Sequence, residues 1–306
     1  MSTHLQVLSE AGVTLDRLLA FVAVAEAGAF VRAAPGDPSR QSLLNRQVRQ
    51  LEQALKATLL ERRGRRVVVT PAGARLRAAV EDLSLGLRGV TALGRPEAVE
   101  LTLAAGDGAL QWLVLPTLGG LKGPRGEALG EVRFSILASS DAVADVTAGV
   151  AHLGLARERP LPSELTHRRV GALRFVACAP RGAARSLGEA LRRCPWIEVT
   201  GDRAALDAVT QSEGVDLRPA LRCETFPQAA QAVSTGAYGA VLPAFALPAL
   251  SSAVDTWSLP AEAGEPVSLA LVARLRALES QPAVRAVFDA LARALSTALA
   301  EPVARK

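Results

Sequence analysis

The segment from residue 59 to residue 71, LLERRGRRVVVTP, constrains the fold of this chain more than any other stretch. Gly64 stands between two pairs of arginines, where a tight hairpin needs positive φ, and the three valines that follow favour a β-strand. Thr70 and Pro71 are typical of an N-cap and the first residue of a helix, which we expect to reach about Leu93. The segment therefore predicts an arginine-rich hairpin followed at once by a long helix.

Two helices and a turn are predicted before a third helix that leads to this hairpin. Residues 15–27 repeat apolar side chains with a period near 3.6 and are followed by a glycine, which ends helices. Residues 29–34 predict a second helix, and the Pro-Gly and Asp-Pro pairs at 35–38 form a turn. The third helix is expected to begin at Ser39 or Gln41. Its apolar stripe consists of Leu44, Val48, Leu51 and Leu55.

The opposite face of the third helix is polar. At 100° per residue, its polar side chains lie roughly 150° from the apolar stripe. These side chains are Ser42, Asn45, Arg46 and Arg49. Because Arg reads guanine or holds phosphate and Asn reads adenine, the mixture suits a helix in the major groove of DNA. An ordinary solvated face is the alternative for this helix taken alone.

Positive charge is concentrated in the same region. Residues 35–77 contain ten Arg or Lys residues and three Asp or Glu residues, whereas the net charge of the whole chain is +5. The remainder is therefore slightly acidic. A basic block on an otherwise balanced protein is typical of a polyanion-binding surface. The order helix, turn, helix, hairpin and long helix is that of a winged DNA-binding domain.

Length and composition exclude several classes of protein. With 306 residues, 49% of them apolar, the chain is long enough for two or more globular domains. Its apolar runs are far shorter than the ~20 residues that span a bilayer, and residues 1–20 lack a secretory pattern. We therefore expect a cytoplasmic protein with no membrane partner. Cys178, Cys194 and Cys223 match no metal or disulfide pattern, so we expect small buried thiols and no cofactor.

The N-terminal motifs resemble those of LysR-type transcriptional regulators. The matching stretches are FVAVAEAGAFVRAA (21–34), RQVRQLEQAL (46–55) and LLERRGRRVVVTPAGARL (59–76). Further resemblance lies in VRFSILASSDAVADVTAGVAHLGLA (132–156), LRFVACAP (173–180), CETFPQAAQAVSTGAYGAVLP (223–243) and PAVRAVFDAL (282–291). The resemblance implies an α/β protein with three parts. These are a winged helix-turn-helix domain (1–70), a dimerising linker helix (71–94) and a two-lobed effector domain resembling periplasmic binding proteins (95–306).

The resemblance also implies partners and contact residues. The partners are a pseudo-palindromic operator in double-stranded DNA, a small-molecule effector, further copies of the chain and, as a candidate, RNA polymerase. By similarity, the DNA contacts fall on Arg40, Gln41, Ser42, Asn45, Arg46, Arg49, Arg63 and Arg65. Ser42 replaces the usual proline and Asn45 the usual serine, so base preference cannot be carried over. Asp37 and Ser39 replace apolar turn positions, so we expect a clipped second helix.

Oligomerisation is expected to use the long helix. Its apolar stripe is Leu76, Val80, Leu83 and Leu87. A stripe of this length needs a partner, and antiparallel pairing with a second copy gives a two-fold dimer. The resemblance implies that effector-domain contacts then build a tetramer.

After Pro96, short apolar strands alternate with amphipathic helices, which is typical of α/β layering. The first half is predicted as strands at 99–104, 132–137 and 152–156 and helices at 109–121 and 141–150. The second half is predicted as strands at 174–179, 196–199, 220–224 and 240–242 and helices at 186–193, 203–212 and 226–235. A strand at 268–273 and a helix at 282–300 complete the chain. The crossings between the lobes are expected near residues 157–166 and 259–274.

A ligand of an open α/β sheet binds beyond the carboxyl ends of the strands. The loops at those ends predict an effector site formed by Gly106, Asp107, Gly108, Ser139, Ser140, Thr200, Gly201, Asp202, Thr225 and Phe226. Each of these residues is also common in ordinary turns.

Asp107 raises a question about effector charge. Carboxylate-sensing relatives place Ser or Thr at the end of the first strand of the effector domain, whereas this chain has Ala105-Gly106-Asp107-Gly108. Asp107 either faces the cleft and disfavours an anion, unless Arg203 neutralises it, or caps the helix that begins near Ala109.

The sequence also bears on three other functions. The sequence lacks a recognisable catalytic constellation or phosphate-binding glycine loop, so an enzyme is not expected. A solute receptor would explain residues 99–300 but would leave the basic hairpin unused. A regulator with a degenerate pocket and constitutive DNA binding is the third alternative.

Overall fold

The computed structural model describes residues 11–64, 66–91, 99–122, 132–200, 203–250, 254–259 and 265–300. Contacts between residues divide the chain into two compact units. One contains residues 1–93 with 147–150, and the other contains residues 94–146 with 151–306. We call them the N-terminal unit and the effector unit. In the part of the chain that the structure describes, no helix is long and apolar enough to cross a membrane.

The described residues of the N-terminal unit form four helices and one hairpin. They are α1 (Leu15–Ala27), α2 (Phe30–Ala33), α3 (Pro38–Leu55), β1 (Leu60–Arg63), β2 (Arg66–Val69) and α4 (Pro71–Thr91). Gly28 ends α1 in the left-handed conformation at φ 61°, and its N–H donates to the Val24 carbonyl at 2.9 Å. The predicted helices and hairpin are therefore confirmed. The predicted end of α4 near residue 93 lies outside the described residues.

The start of α3 differs from the prediction. Asp37 is the N-cap, because its carboxylate accepts from the Arg40 N–H at 2.9 Å, and Pro38 is the first helical residue. The prediction that the helix begins at Ser39 or Gln41, with residues 37 and 38 in the turn, is wrong. An Asp-Pro pair can extend a turn or start a helix, and here it starts the helix.

The core of the N-terminal unit joins α1, α3 and the hairpin. Phe21, Leu51 and Leu59 are almost completely buried in it. Thr70 closes the hairpin onto α4, because its hydroxyl donates to the Thr58 carbonyl at 2.7 Å and accepts from the Gly73 N–H at 3.0 Å. The predicted N-cap role of this threonine is confirmed.

The first lobe of the effector unit is built on a five-stranded sheet of order β4-β3-β5-β12-β6. Its strands are β3 (Val99–Ala105), β4 (Val132–Ala138), β5 (Leu153–Arg157), β6 (Leu165–Leu173) and β12 (Val267–Arg274). Its helices are α5 (Asp107–Ala109), α6 (Leu115–Leu118), α7 (Ala142–Thr147), α11 (Leu275–Ser280) and α12 (Pro282–Ala300), with a π-helical turn at Leu110–Val114 between α5 and α6. Strands β3 and β4 run parallel in register, with Ala105 beside Ala138.

The second lobe has a five-stranded sheet of order β11-β7-β10-β8-β9. Its strands are β7 (Phe175–Pro180), β8 (Trp196–Val199), β9 (Leu221–Cys223), β10 (Gly239–Pro243) and β11 (Val254–Ser258). Its helices are α8 (Leu187–Arg193), α9 (Arg203–Ser212) and α10 (Phe226–Ser234), with a 3₁₀ turn at Ala244–Ala249. Strands β8 and β9 are parallel, with Val199 beside Cys223.

The first crossing between the lobes lies later than predicted. Residues 165–173 form β6 of the first sheet, and β7 of the second sheet begins at Phe175, so the crossing is at Arg174 and not within 157–166. Strand β6 contains a bulge opposite Leu269 and Ala270 and a glycine, Gly171, at φ 150°. Apolar and polar residues therefore do not alternate regularly along its sequence. The return crossing connects β11 to β12, inside the predicted range 259–274.

Candidate functional site

The exposed face of α3 carries most of the predicted DNA-contacting side chains. Ser42, Arg46 and Arg49 are exposed on the side of α3 away from the buried Leu44, Val48 and Leu51. Arg40 is exposed in the first turn of the helix. The arginines are therefore available to an external polyanion.

Two of the predicted contacts are partly used within the unit. The side-chain amide of Gln41 donates to the Ala34 carbonyl at 3.0 Å, which ties α3 to the end of α2. Asn45 is half-buried beside a shallow depression between α3 and the hairpin. Glu52 spans the same junction, since its carboxylate accepts from the backbone N–H groups of Leu59 and Leu60 at 2.8 and 3.2 Å.

The hairpin presents a second basic surface. Arg63 pairs with Arg66 at the end of the two strands, and both side chains are exposed. Gly64 has φ 63°, as the tight turn requires. Arg62 lies over the ring of Phe30 at 5.8 Å, which holds its guanidinium beside α2. The predicted contact Arg65 lies outside the described residues.

The first-lobe side of the cleft is formed at the carboxyl ends of β3 and β4. Gly106 and Asp107 are exposed there, and the Ser139 N–H donates to the Ala105 carbonyl at 2.9 Å. The Ser139 hydroxyl is already occupied, because it donates to the Asp145 carboxylate and accepts from the Asp141 N–H at 3.1 Å. Ser140 is exposed. Among the described residues, the Ser139 hydroxyl is therefore used in local hydrogen bonds, whereas the Ser140 hydroxyl is available to a ligand.

Asp141 and Arg159 border this loop and were not predicted. The guanidinium of Arg159 donates to Asp141 at 2.6 Å, and this hydrogen bond is the main cause that lowers the pKa of the Asp141 carboxyl. Asp141 also accepts from the Ala144 N–H at 3.1 Å, at the start of α7. The pair is therefore internally neutral and stabilises the loop that carries Ser139 and Ser140.

The second-lobe side follows β8 and β9. The Thr200 N–H donates to the Cys223 carbonyl at 2.8 Å, which places the two strand ends side by side. The Thr225 hydroxyl caps α10 in a capping box with Gln228, so this predicted contact has a local structural role. The predicted residues Gly201 and Asp202 lie outside the described residues.

The two sides meet at Gly108 and Phe226. A Cβ placed at Gly108 would lie 3.3 Å from Cβ of Phe226 and 3.2 Å from the Trp112 ring, so a side chain at this position would require one of these neighbours to shift by a few tenths of an ångström. Trp112 and Phe245 also pack across the cleft, with ring centroids 6.3 Å apart. Neither residue was predicted from the sequence, because Trp112 lies in an apolar run that is typical of a core helix.

Asp107 does not cap the helix that follows it. Gly106 occupies the N-cap position, and Asp107 is the first helical residue with no capping hydrogen bond from its side chain. The alternative that Asp107 caps the helix is therefore wrong, although its carboxylate still lies at the positive end of the helix dipole. Arg203 pairs instead with Glu198 at 3.8 Å and with Asp207 at 3.1 Å.

Burial affects the acidity of all three cysteine thiols. It raises the pKa of the Cys178 thiol to about 12 and also raises the pKa of Cys194 and of Cys223. Because the thiolate is the reactive form, the fully buried Cys178 is expected to react slowly near neutral pH. Within the described ranges, no group of three or more His, Cys, Asp and Glu side chains could hold a metal ion.

Family comparisons match both units. Residues 15–74 match the bacterial regulatory helix-turn-helix protein of the LysR family. Residues 94–296 match the LysR substrate-binding domain, which covers about two thirds of the chain. The chain belongs to the LysR family of transcriptional regulators. The winged helix-turn-helix and the two-lobed α/β unit are the two domains of a LysR regulator, as the sequence predicted.

Individual relatives agree with this assignment. A protein of Pseudomonas aeruginosa named as a transcriptional regulator is 36% identical over 108 residues, which are 34% of this chain and 35% of the relative. The chain thus matches about a third of that relative's length. The crystal structure of ArgP from Mycobacterium tuberculosis has 18% identity and a TM-score of 0.72, covering 93% of this chain and 98% of that one. Full-length LysG from Corynebacterium glutamicum with bound arginine has 18% identity and a TM-score of 0.64, covering 91% and 98%.

Proposed function

We propose that this LysR regulator binds operator DNA through the exposed face of α3 and the hairpin tip, and that an effector in the interlobe cleft controls it. The observation that carries the DNA proposal is the exposure of Arg46 and Arg49 on the face of α3 opposite its buried stripe, together with the exposure of Arg40 in the first turn of the helix. The remaining proposed contacts are Gln41, Ser42, Asn45, Arg63 and Arg65. The same basic surface favours a regulator over an enzyme and, since the chromosome is the target, a cytoplasmic location.

Substitution of Arg46 tests the DNA proposal. We expect Arg46→Ala to cost about 1–3 kcal/mol in affinity for a duplex that the unaltered protein selects from a random pool. If Arg49 contacts phosphate, Arg49→Ala will lower the salt slope of binding by about one. Arg133→Ala, on an exposed strand of the effector unit, is the matched control. Unchanged affinity in gel shifts of both α3 variants would show that the docking face is wrong.

The proposed dimer uses α4. Leu76 contributes to the core of its own unit, Val80 is half-buried and Leu83 is 48% exposed, while the side chain of Leu87 lies outside those described. The apolar stripe of α4 is therefore only partly covered by its own unit, and an uncovered stripe on a long helix favours a partner helix. We expect Leu83→Glu to yield monomers in sedimentation velocity, whereas Ser84→Glu, at a neighbouring exposed position, leaves the assembly intact. An unaltered chain that stays monomeric at all concentrations would overturn the proposal. A tetramer through effector units is the further expectation.

The proposed effector contacts are Gly106, Asp107, Gly108, Ser139, Ser140, Thr200, Gly201, Asp202, Thr225 and Phe226. We infer a neutral or cationic effector from the exposed Asp107 carboxylate. Two like charges ~4 Å apart repel by roughly 4 kcal/mol at an effective dielectric of 20, or about a thousandfold in affinity. Arg203 forms ion pairs with Glu198 and Asp207. We therefore do not expect Arg203 to neutralise Asp107.

A matched series tests this charge preference. We expect benzamide, benzylamine or arginine, the effector seen in the LysG structure, to raise the melting temperature of the full chain more than benzoate does. A bound ligand at a hundred times its Kd adds about 2.7 kcal/mol of stability. Asp107→Ser should strengthen benzoate binding, whereas Asp216→Ser, at an exposed position in the second lobe, should not. Tight binding of benzoate to the unaltered chain would sink the charge argument.

A constitutive regulator is the second candidate function. The observation in its favour is the close packing of Gly108 against Trp112 and Phe226 where the lobes meet. In that case no metabolite in a broad thermal-shift screen changes either the melting temperature or operator affinity.

A further inference from the structure

Trp112 links the two lobes of the effector unit. It lies in the π-helical turn of the first lobe, yet its ring packs against the second-lobe cluster that contains Ile197, Val199 and Leu242. Phe245 makes the reciprocal contact, since it follows β10 of the second lobe and packs against the first-lobe core. The two rings are tilted by 50° with centroids 6.3 Å apart. Each lobe therefore contributes one aromatic side chain that packs against the core of the other lobe.

Aromatic rings and glycine backbone pack around Trp112. A Cβ added at Gly108 would lie 3.2 Å from the Trp112 indole. Because glycine has no side chain, the indole can lie against the backbone at this position. Phe226 contacts the same glycine and stacks at a tilt with Phe175, centroid to centroid 5.7 Å. Such surroundings favour a planar, uncharged partner over a strongly hydrated ion.

The indole N–H of Trp112 is the polar feature of this apolar site. Its Nε1 atom is buried and has no hydrogen-bond partner among the described residues. Trp196, another buried tryptophan, shows the ordinary arrangement, because its Nε1 donates to the Ala190 carbonyl at 3.0 Å. An unpaired buried donor is unfavourable, so a ligand that offers an acceptor recovers the missing hydrogen bond. The π-helical turn that carries Trp112 is a local feature frequent at functional sites.

We propose that Trp112 determines effector specificity, and that the cleft takes an uncharged planar aromatic molecule whose acceptor atom receives a hydrogen bond from the Trp112 Nε1–H. This inference rests on the proposed effector function and deepens it. The ligand enters between the lobes by parting Trp112 from Phe245, and its ring takes over the aromatic contact that is lost. Benzamide, the neutral probe of the charge series, should therefore gain affinity from the Trp112 hydrogen bond as well as from the absence of repulsion by Asp107.

The test uses the full chain and a pair of probes that differ in one group. Benzamide carries an acceptor oxygen, whereas toluene has a similar ring without one. We expect the unaltered chain to bind benzamide more tightly than toluene by calorimetry. Trp112→Phe keeps an aromatic ring and removes the donor, so it should weaken benzamide threefold to tenfold and leave toluene within twofold. Trp257→Phe, in the second lobe, is the control and should change neither affinity.

A second measurement follows the Trp112 indole resonance of the unaltered chain when a probe is added. With the three tryptophans labelled at the indole nitrogen, Trp112→Phe identifies the Trp112 resonance by its loss. Benzamide should shift that resonance downfield, as hydrogen bonding does, while toluene should not. Equal affinity for the two probes, equal weakening of both by Trp112→Phe, an unmoved Trp112 resonance, or no binding of either probe would each overturn the inference. Strong benzoate binding would defeat the charge preference alone, because benzoate also offers an acceptor.

Discussion

The two units of this regulator place their proposed functional side chains in opposite ways. In the N-terminal unit the proposed DNA contacts lie on α3 and at the tip of a hairpin, so the helix period and one turn determine which side chains are exposed. In the effector unit the proposed effector contacts lie where two lobes meet, and Gly108, Trp112 and Phe226 come together from distant parts of the chain. A surface for DNA can therefore be specified locally, whereas a ligand cleft depends on how the lobes close.

The largest expected effects test whether the two units are independent. Leu51 and Leu271 are fully buried in the cores of the N-terminal and effector units. Truncation of such a leucine costs about 2–5 kcal/mol. We expect Leu51→Ala to lower only the calorimetric transition of the N-terminal unit and to weaken DNA binding, and Leu271→Ala to lower only that of the effector unit.

Exposed leucines provide the matched controls for this pair. Leu43 is 41% exposed on α3, and Leu275 is 38% exposed at the start of α11. Their alanine variants should shift the same transitions by much less, since little cavity is created. A single transition that moves by the same amount in both core variants would mean that the two units melt as one body, and the comparison would then fail.

How much the sequence could predict follows the same division. The ends of α1, the hairpin at Gly64 and the cap at Thr70 depend on neighbouring residues, and all were predicted. The start of α3 was not, because an Asp-Pro pair suits both a turn and a helix N-terminus.

The effector unit was predicted in outline and missed in detail. The pattern of β6 is broken by the bulge opposite Leu269 and by Gly171, so its pairing with β12 decides its conformation. Ser139 and Thr225 follow the expected strand ends, yet their hydroxyls are used by Asp145 and Gln228 in local bonds. Trp112 could not be recognised because its partners are in the other lobe. Tertiary contacts that sequence spacing does not encode account for each of these differences.

Substitution of two helix caps is expected to change the stability by an intermediate amount. Thr70 is 8% exposed and holds β1 to α4, whereas Ser186 is an exposed cap of α8 that accepts from the Glu189 N–H at 3.2 Å. Since cap substitutions cost about 0.5–2 kcal/mol, we expect Thr70→Ala near the upper end and Ser186→Ala near the lower end in urea denaturation. Thr70→Ser retains the hydroxyl and should recover most of the loss. Equal destabilisation by the two alanine variants would show that the buried contacts of Thr70 add nothing.

The smallest expected effect on stability concerns the cysteines of the effector unit, of which Cys178 is fully buried and Cys194 is half-exposed. Burial raises the pKa of Cys178 to about 12 from 9.0, so its thiolate fraction at pH 8 is about a thousandfold below that of an ordinary thiol. We expect iodoacetamide to label Cys178 far more slowly than the half-exposed Cys194 in the native chain, as read by mass spectrometry, and at ordinary rates in urea. Because the folded pKa is the higher one, the contribution of Cys178 to stability is complete below about pH 9 and is lost as the pH rises toward 12. A ligand that only parts Trp112 from Phe245 should leave this slow labelling unchanged. Rapid modification of Cys178 at pH 8 without denaturant would show that the second-lobe core opens as readily as the cleft.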